Sequence, residues 1–138
     1  MLHIKKIKPL FTSIVTTGDK YVEDMKEDGI IVAYKGDLKL YQKVLAVGSS
    51  VRDIQVGDTV MIDPKNYAVM KYDKNSLKND MDMNQIVKWN LPWVIIDDEN
   101  GKPQDCLLLN DRDIKFVFEG EEKADSIILP DKPVIITN

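Results

Sequence analysis

The apolar positions of this chain fall in short runs, each cut off by glycine, proline or a charged stretch. The clearest lies in residues 43–63, KVLAVGSSVRDIQVGDTVMID. Val44, Leu45, Ala46 and Val47 are too few for a helix and end at Gly48, which predicts a buried strand that turns sharply. Gly48 is expected to supply a backbone conformation that a Cβ would resist, and Gly57-Asp58 a tight turn. Thr59, Val60, Met61 and Ile62 then make a second strand rich in β-branched and apolar residues. Before this pair, Ile4, Ile7, Leu10, Phe11, Ile14 and Val15 are mixed with polar positions, and Pro9 argues against a helix there and for a strand entrance or edge. After it, Pro64-Lys65-Asn66 reads as a turn and Tyr67 to Met70 as a short strand. Residues 85–98 (Ile86, Val87, Trp89, Leu91, Trp93 to Ile96) read as one or two strands broken at Pro92. Asn100-Gly101 between apolar strands is a hairpin-turn signal. Cys106 to Leu109 form a further strand, and Phe116 and Phe118 alternate with Lys115 and Val117 as a half-buried strand does. Short strands joined by tight turns predict an all-β chain built as a small barrel.

Two polar stretches interrupt this pattern. Residues 71–84 (KYDKNSLKNDMDMN) are polar, with Ser76 placed to cap a short helical turn. Residues 18–42 are charged and poor in large apolar side chains, so little in them drives local order. Embedded there are Gly29-Ile30-Ile31-Val32 and, beyond them, the polar Lys35-Gly36-Asp37. A connection of roughly 25 residues is unusual inside a compact domain, and such connections are commonly functional. The open alternative is a hairpin in which residues 29–32 pair with residues 38–44.

With 138 residues the chain is expected to form one domain. Its 43% hydrophobic and 30% charged content is that of an ordinary globular protein. A net charge of −4 leaves no electrostatic footprint for nucleic acid. No apolar run approaches the roughly 18 residues of a membrane span. Lysines at the N-terminus lack the apolar region of a secretory signal, and one cysteine fits a reducing compartment, so a cytoplasmic location is expected.

Candidate chemistry is sparse. Cys106 as a nucleophile needs a histidine, and His3, expected at the terminal surface, is the only one; a buried structural thiol is the expectation. Asp97, Asp98 and Glu99 lack the alternating spacing and distant glutamate of a calcium loop. Lys71, Lys74 and Lys78 are cancelled by Asp73, Asp80 and Asp82. Trp89 and Trp93 are expected in packing or an inter-subunit contact rather than on a sugar or peptide surface. No catalytic residue, metal or cofactor is assigned.

Taken in order, IKPLFTSIV, GIIV leading to VLAVG and VGDTVMID, and LLLNDRDI resemble the GroES-type co-chaperonins (chaperonin-10) over residues 4–62 and 106–119. The resemblance implies a GroES-like small β-barrel in residues 1–120 and a mobile loop at about 18–42. On that loop a glycine and an aliphatic tripeptide, here Gly29, Ile30, Ile31 and Val32, would dock on a GroEL-type chaperonin ring. It also implies a roof hairpin with an aromatic residue near its tip, matched by Tyr67, and a last strand that pairs with a neighbouring subunit. The expected assembly is a homo-oligomeric ring of seven that caps the chaperonin, encloses unfolded client proteins and leaves ATP hydrolysis to its partner. Burying three aliphatic side chains is worth about 5–9 kcal/mol gross, ordering the loop takes back about 2–5 kcal/mol, and a ring of loops turns the weak remainder into tight attachment.

The chain departs from the family in an enlarged insert at residues 71–105 and a C-terminal extension at residues 121–138, departures of the kind found in bacteriophage-encoded members. In the extension Ile127, Ile128 and Leu129 form a second aliphatic triplet that competes with residues 30–32 for the docking role. Two other classes compete with this reading. One is a structural or assembly protein, for example viral, that keeps the barrel without binding chaperonin. The other, an enzyme of the zinc-dependent alcohol dehydrogenase kind, is opposed by the lack of G-x-G-x-x-G, of a cysteine cluster and of room for a nucleotide domain.

Overall fold

The computed structural model describes residues 2–72 and 85–123. Among them the chain is all-β, with strands β1 (His3–Ile4), β2 (Ser13–Thr17), β3 (Met25–Glu27), β4 (Ile30–Ala33), β5 (Tyr41–Val47), β6 (Thr59–Ile62), β7 (Ala68–Tyr72), β8 (Gln85–Trp89), β9 (Trp93–Asp97), β10 (Pro103–Asn110) and β11 (Ile114–Phe118). Seven of these form one sheet in the order β1-β9-β10-β2-β5-β6-β11, while β3–β4 and β7–β8 stand apart as two-stranded ribbons. Among the described residues no helix is long and apolar enough to cross a membrane.

The sheet is centred on β2, whose side chains alternate between two packed layers. Ile14 meets Val44 and Val60 on one side, under Val51 and Ile54. Val15 meets Ile96 and Cys106 on the other, under Ile4 and Ile7. Leu107 and Leu109 of β10 pack with Ile62, Trp93 and Leu91 in a third cluster. β-Branched and leucine side chains on both faces of a central strand explain why the runs here read as continuous rather than alternating. The N-terminal segment with Pro9 and the 48–56 connection cover the two faces, so those apolar positions serve as lids over the sheet.

The turns follow the local chemistry. Gly57 has φ +97°, and the Asp58 carboxylate accepts from the Gln55 amide at 2.8 Å, closing the turn into β6. Gly101 has φ +79°; the Asp98 carboxylate accepts from the amides of Asn100 and Lys102 at 2.8 and 2.9 Å, which shapes the β9–β10 hairpin expected at Asn100-Gly101. Gly48 is required for a different reason than the expected backbone conformation. A Cβ there would run into the Phe11 carbonyl oxygen, because the Gly48 amide bonds Ser13 O and the Ser50 amide bonds Phe11 O.

One expectation about the architecture is corrected. The seven-stranded sheet does not close into a barrel, because its end strands are β1 and β11. Closure would need the N-terminal strand beside β11. Instead β1 is two residues long and runs parallel to β9, a strand within residues 71–105, the expected insert. Among the described residues β11 therefore pairs with β6 alone, and its Phe116 and Val117 are exposed.

Candidate functional site

Residues 18–42 leave the body and return to it as one long, irregular hairpin. At its tip β3 and β4 pair antiparallel, Glu27 opposite Ile30 and Lys26 opposite Ile31. The two residues between them, Asp28 and Gly29, have φ of +51° and +78°. Positive φ at both positions is what a type I′ turn demands, and Asp-Gly supplies it cheaply. A second turn, with Gly36 at φ +93°, folds the returning arm back: the Gly36 amide bonds Tyr21 O and the Tyr21 amide bonds Asp37 O, both at 2.8 Å. The alternative pairing of residues 29–32 with 38–44 is not formed, since β5 is taken by β2 and β6.

The strand period decides what the tip displays. Ile30 is 67% exposed and Val32 54% exposed on one face, whereas Ile31 and Ala33 point to the other and are partly covered. Gly29 sits at the turn with open space where a Cβ would project. Structure thus brings Gly29, Ile30 and Val32 together on an outward face and separates Ile31 from them.

At the hairpin's root a buried polar knot fastens both arms. Gln42, 2% exposed, donates to Asp19 O at 3.0 Å and Lys39 O at 2.6 Å. Its Oε1 accepts from the Thr17 hydroxyl at 2.8 Å and the Asp19 amide at 2.9 Å. The Thr17 hydroxyl in turn accepts from the Lys43 amide at 3.0 Å. Every hydrogen-bonding group of the Gln42 amide is used, so its burial carries no unmet polar cost.

Beside the root lies a cleft of about 460 Å³, bounded by Tyr21, Val32, Leu38, Tyr41, Phe118 and Glu122. The Tyr21 and Tyr41 hydroxyls donate to the two oxygens of the Glu122 carboxylate, at 3.1 and 2.6 Å. The Lys39 ammonium lies 5.5 and 5.7 Å from the two ring centroids. Burial, then the bond to Glu122, pushes the Tyr21 hydroxyl up to about 12 and raises that of Tyr41 for the same causes. None of these four residues stands out in the sequence as a site. The Tyr21–Tyr41 spacing and a lone glutamate after β11 carry no local signal.

Tyr67 is at the start of the β7–β8 ribbon rather than its tip. Its hydroxyl donates to Asp113 at 2.6 Å, its ring packs with the cluster around Leu107 and Leu109, and burial raises its pKa. Asp113, itself buried, also accepts from the Asn66 side chain and the Asn110 amide, each at 3.0 Å. The Asn-Asp-Arg-Asp run is therefore a corner that ties the ribbon's base to β10 and β11. Trp93 packs in the core with Lys20 over its ring at 5.2 Å, while Trp89 is exposed, so the two do not share a surface. Cys106 is fully buried, and burial pushes its thiol up to about 11, which makes it a poor nucleophile. His3 is exposed, opposite Ile95. Among the described residues no group of three His, Cys, Asp or Glu side chains is placed to hold a metal ion. The Ser76 cap and the triplet Ile127, Ile128 and Leu129 lie outside the described residues.

No family model matches the chain, and no curated protein matches it.

Proposed function

We propose that this chain is the subunit of a GroES-like co-chaperonin, which forms a homo-oligomeric ring and caps a GroEL-type chaperonin without catalysing a reaction itself. The observation that carries the reading is the display of Ile30 and Val32, 67% and 54% exposed, beside Gly29 at the tip of a hairpin held to the body mainly at its root. Two large aliphatic side chains kept in water are costly to leave uncovered, by about 1.5–3 kcal/mol each when buried instead. That amount makes one hairpin a weak binder and a ring of them a strong, releasable one. The edge of β11, unpaired among the described residues and with Phe116 and Val117 exposed beside it, supports strand addition by a neighbouring subunit, and a seven-membered ring would repeat that contact around an axis. In this reading Ile30 and Val32 carry the contact, Ile31 backs it from the opposite face, and clients are enclosed rather than gripped by the subunit.

The test is native mass measurement of the protein alone and with a chaperonin, with and without ATP. A ring that joins the chaperonin only in the nucleotide-loaded state is expected, and Ile30→Asp with Val32→Asp should abolish the joining while leaving the ring intact. Capture unchanged by both substitutions refutes the docking role of the hairpin.

A second reading is favoured by the pairing of the hairpin along its length: a GroES-like assembly component, viral for example, that uses the hairpin and β11 as fixed contacts between copies. Such a protein would form an oligomer of another size and ignore chaperonin in every nucleotide state.

A further inference from the structure

The segment that leaves β11 does not simply run off the body. Its Glu122 reaches into the cleft at the root of the hairpin and accepts from hydroxyls of two separate parts of the chain, whose rings lie beside a lysine from a third. Tyr21 lies on the outgoing arm, Lys39 on the returning arm and Tyr41 at the first position of β5. Two hydroxyls address two different oxygens of one carboxylate, at 3.1 and 2.6 Å. A lysine is held 5.5 and 5.7 Å from the faces of the same two rings. Cation-bearing aromatic faces and anion-bearing hydroxyl edges complement each other. Phe118 buttresses the arrangement, its ring edge-on to Tyr41 at 6.2 Å.

We propose that this cleft is a carboxylate-binding site whose resident ligand is the chain's own Glu122, so that the segment after β11 is a releasable strap across the root of the hairpin. The carboxylate joins a residue of the projecting arm, Tyr21, to a residue of the fixed sheet, Tyr41. Closing or opening that one contact therefore changes how firmly the hairpin is held, independently of the Gln42 knot on the opposite side of the root. Asp19 and Asp37 lie close enough to raise the tyrosine hydroxyls through their charge. Their negative charge opposes any anion in the cleft, a carboxylate included, so the two directional hydroxyl donors must carry the binding. The strap stands on its own whether or not the hairpin docks on a chaperonin.

The test is amide hydrogen exchange on the full chain. In Glu122→Ala the amides of residues 19–39 are expected to exchange about three- to tenfold faster, the range for losing two partly solvated charged hydrogen bonds, while those of β2 and β10 keep their rates. Tyr21→Phe, on the exposed arm, should reproduce part of this. Acetate added to Glu122→Ala should restore slow exchange, sodium chloride at equal ionic strength should not, and acetate should do nothing once Tyr21→Phe and Tyr41→Phe are added. Hairpin exchange unchanged in Glu122→Ala and Tyr21→Phe overturns the strap. Acetate acting no better than chloride overturns the carboxylate site.

Discussion

Gln42 and Asp19 are joined twice: the side-chain Oε1 accepts from the Asp19 amide at 2.9 Å, and Nε2 donates to the Asp19 carbonyl at 3.0 Å. A glutamine side chain thus pairs with a backbone peptide as a neighbouring strand would, and its remaining two bonds, to Thr17 and Lys39, close the root of the hairpin.

Removing that amide should therefore cost more than one hydrogen bond. Gln42→Ala leaves the Lys39 carbonyl, the Asp19 amide and the Thr17 hydroxyl proton without their partner at a buried position, while the Asp19 carbonyl keeps only its bond from the Lys39 amide, a loss of about 2–3 kcal/mol. Gln42→Glu keeps the shape but cannot donate to the two carbonyls and should fall short by a similar amount. Chemical denaturation gives the loss. A value below about 0.5 kcal/mol, the range of inert surface changes, would mean the knot is open in solution.

The alternation along β4 separates three residues that look equivalent as a string. Ile30 and Val32 are more than half exposed, so Ile30→Asp is expected to leave stability within about 0.5 kcal/mol of the parent, and Val32→Asp, at the rim of the cleft that holds Glu122, to cost little more. Ile31 is partly covered on the other face, and Ile31→Asp should cost about 1 kcal/mol or more by placing a charge against apolar neighbours. Equal losses at all three positions, read by thermal unfolding, would contradict the alternation.

Much of the body was legible because strands buried on both faces and turns with Gly-Asp or Asn-Gly leave local marks. The β5–β6 pair, the Asn100-Gly101 hairpin and the buried thiol of Cys106 all follow from such marks. The hairpin tip was legible in principle, since Asp28-Gly29 between Glu27 and Ile30 is a type I′ signal, but the charges around it read as a slack loop. What the string could not carry is long-range geometry. The parallel seat of His3 and Ile4 on β9, which leaves the sheet open, depends on a strand some ninety positions away. The meeting of Tyr21, Tyr41 and Glu122 depends on where β11 ends. No periodicity encodes either.

Two glycines should both lose stability on change to alanine but differ in their response to asparagine. At Gly29 nothing lies within 4 Å of a Cβ and the obstacle is φ alone, so Gly29→Ala should cost about 1–2 kcal/mol while Gly29→Asn, which tolerates that conformation, recovers most of it. At Gly48 the obstacle is the backbone of Leu10 and Phe11. Gly48→Ala should cost about 1–3 kcal/mol, as overpacking does, and Gly48→Asn should be no better. Rescue by asparagine at both sites, or at neither, would show that the two constraints are wrongly assigned.

The thiol of Cys106 provides a pH signature of the core. Burial, with a smaller contribution from the charge of Asp105, holds it up to about 11 against an ordinary value of 9.0. The folded chain therefore keeps its proton where the unfolded chain has released it. The stabilisation is complete below pH 9 and is lost as pH rises through 11, by at most about 2–3 kcal/mol for a shift of this size. The raised tyrosines lose stabilisation over a higher range, beginning near pH 10. Cys106→Ala should lower stability at neutral pH through the small cavity it leaves, yet flatten the decline between pH 9 and 10, while the tyrosine-driven decline that sets in near pH 10 persists. Denaturant midpoints measured across that interval decide the matter: parallel curves for parent and variant would mean that the thiol titrates in the folded protein as it does in water.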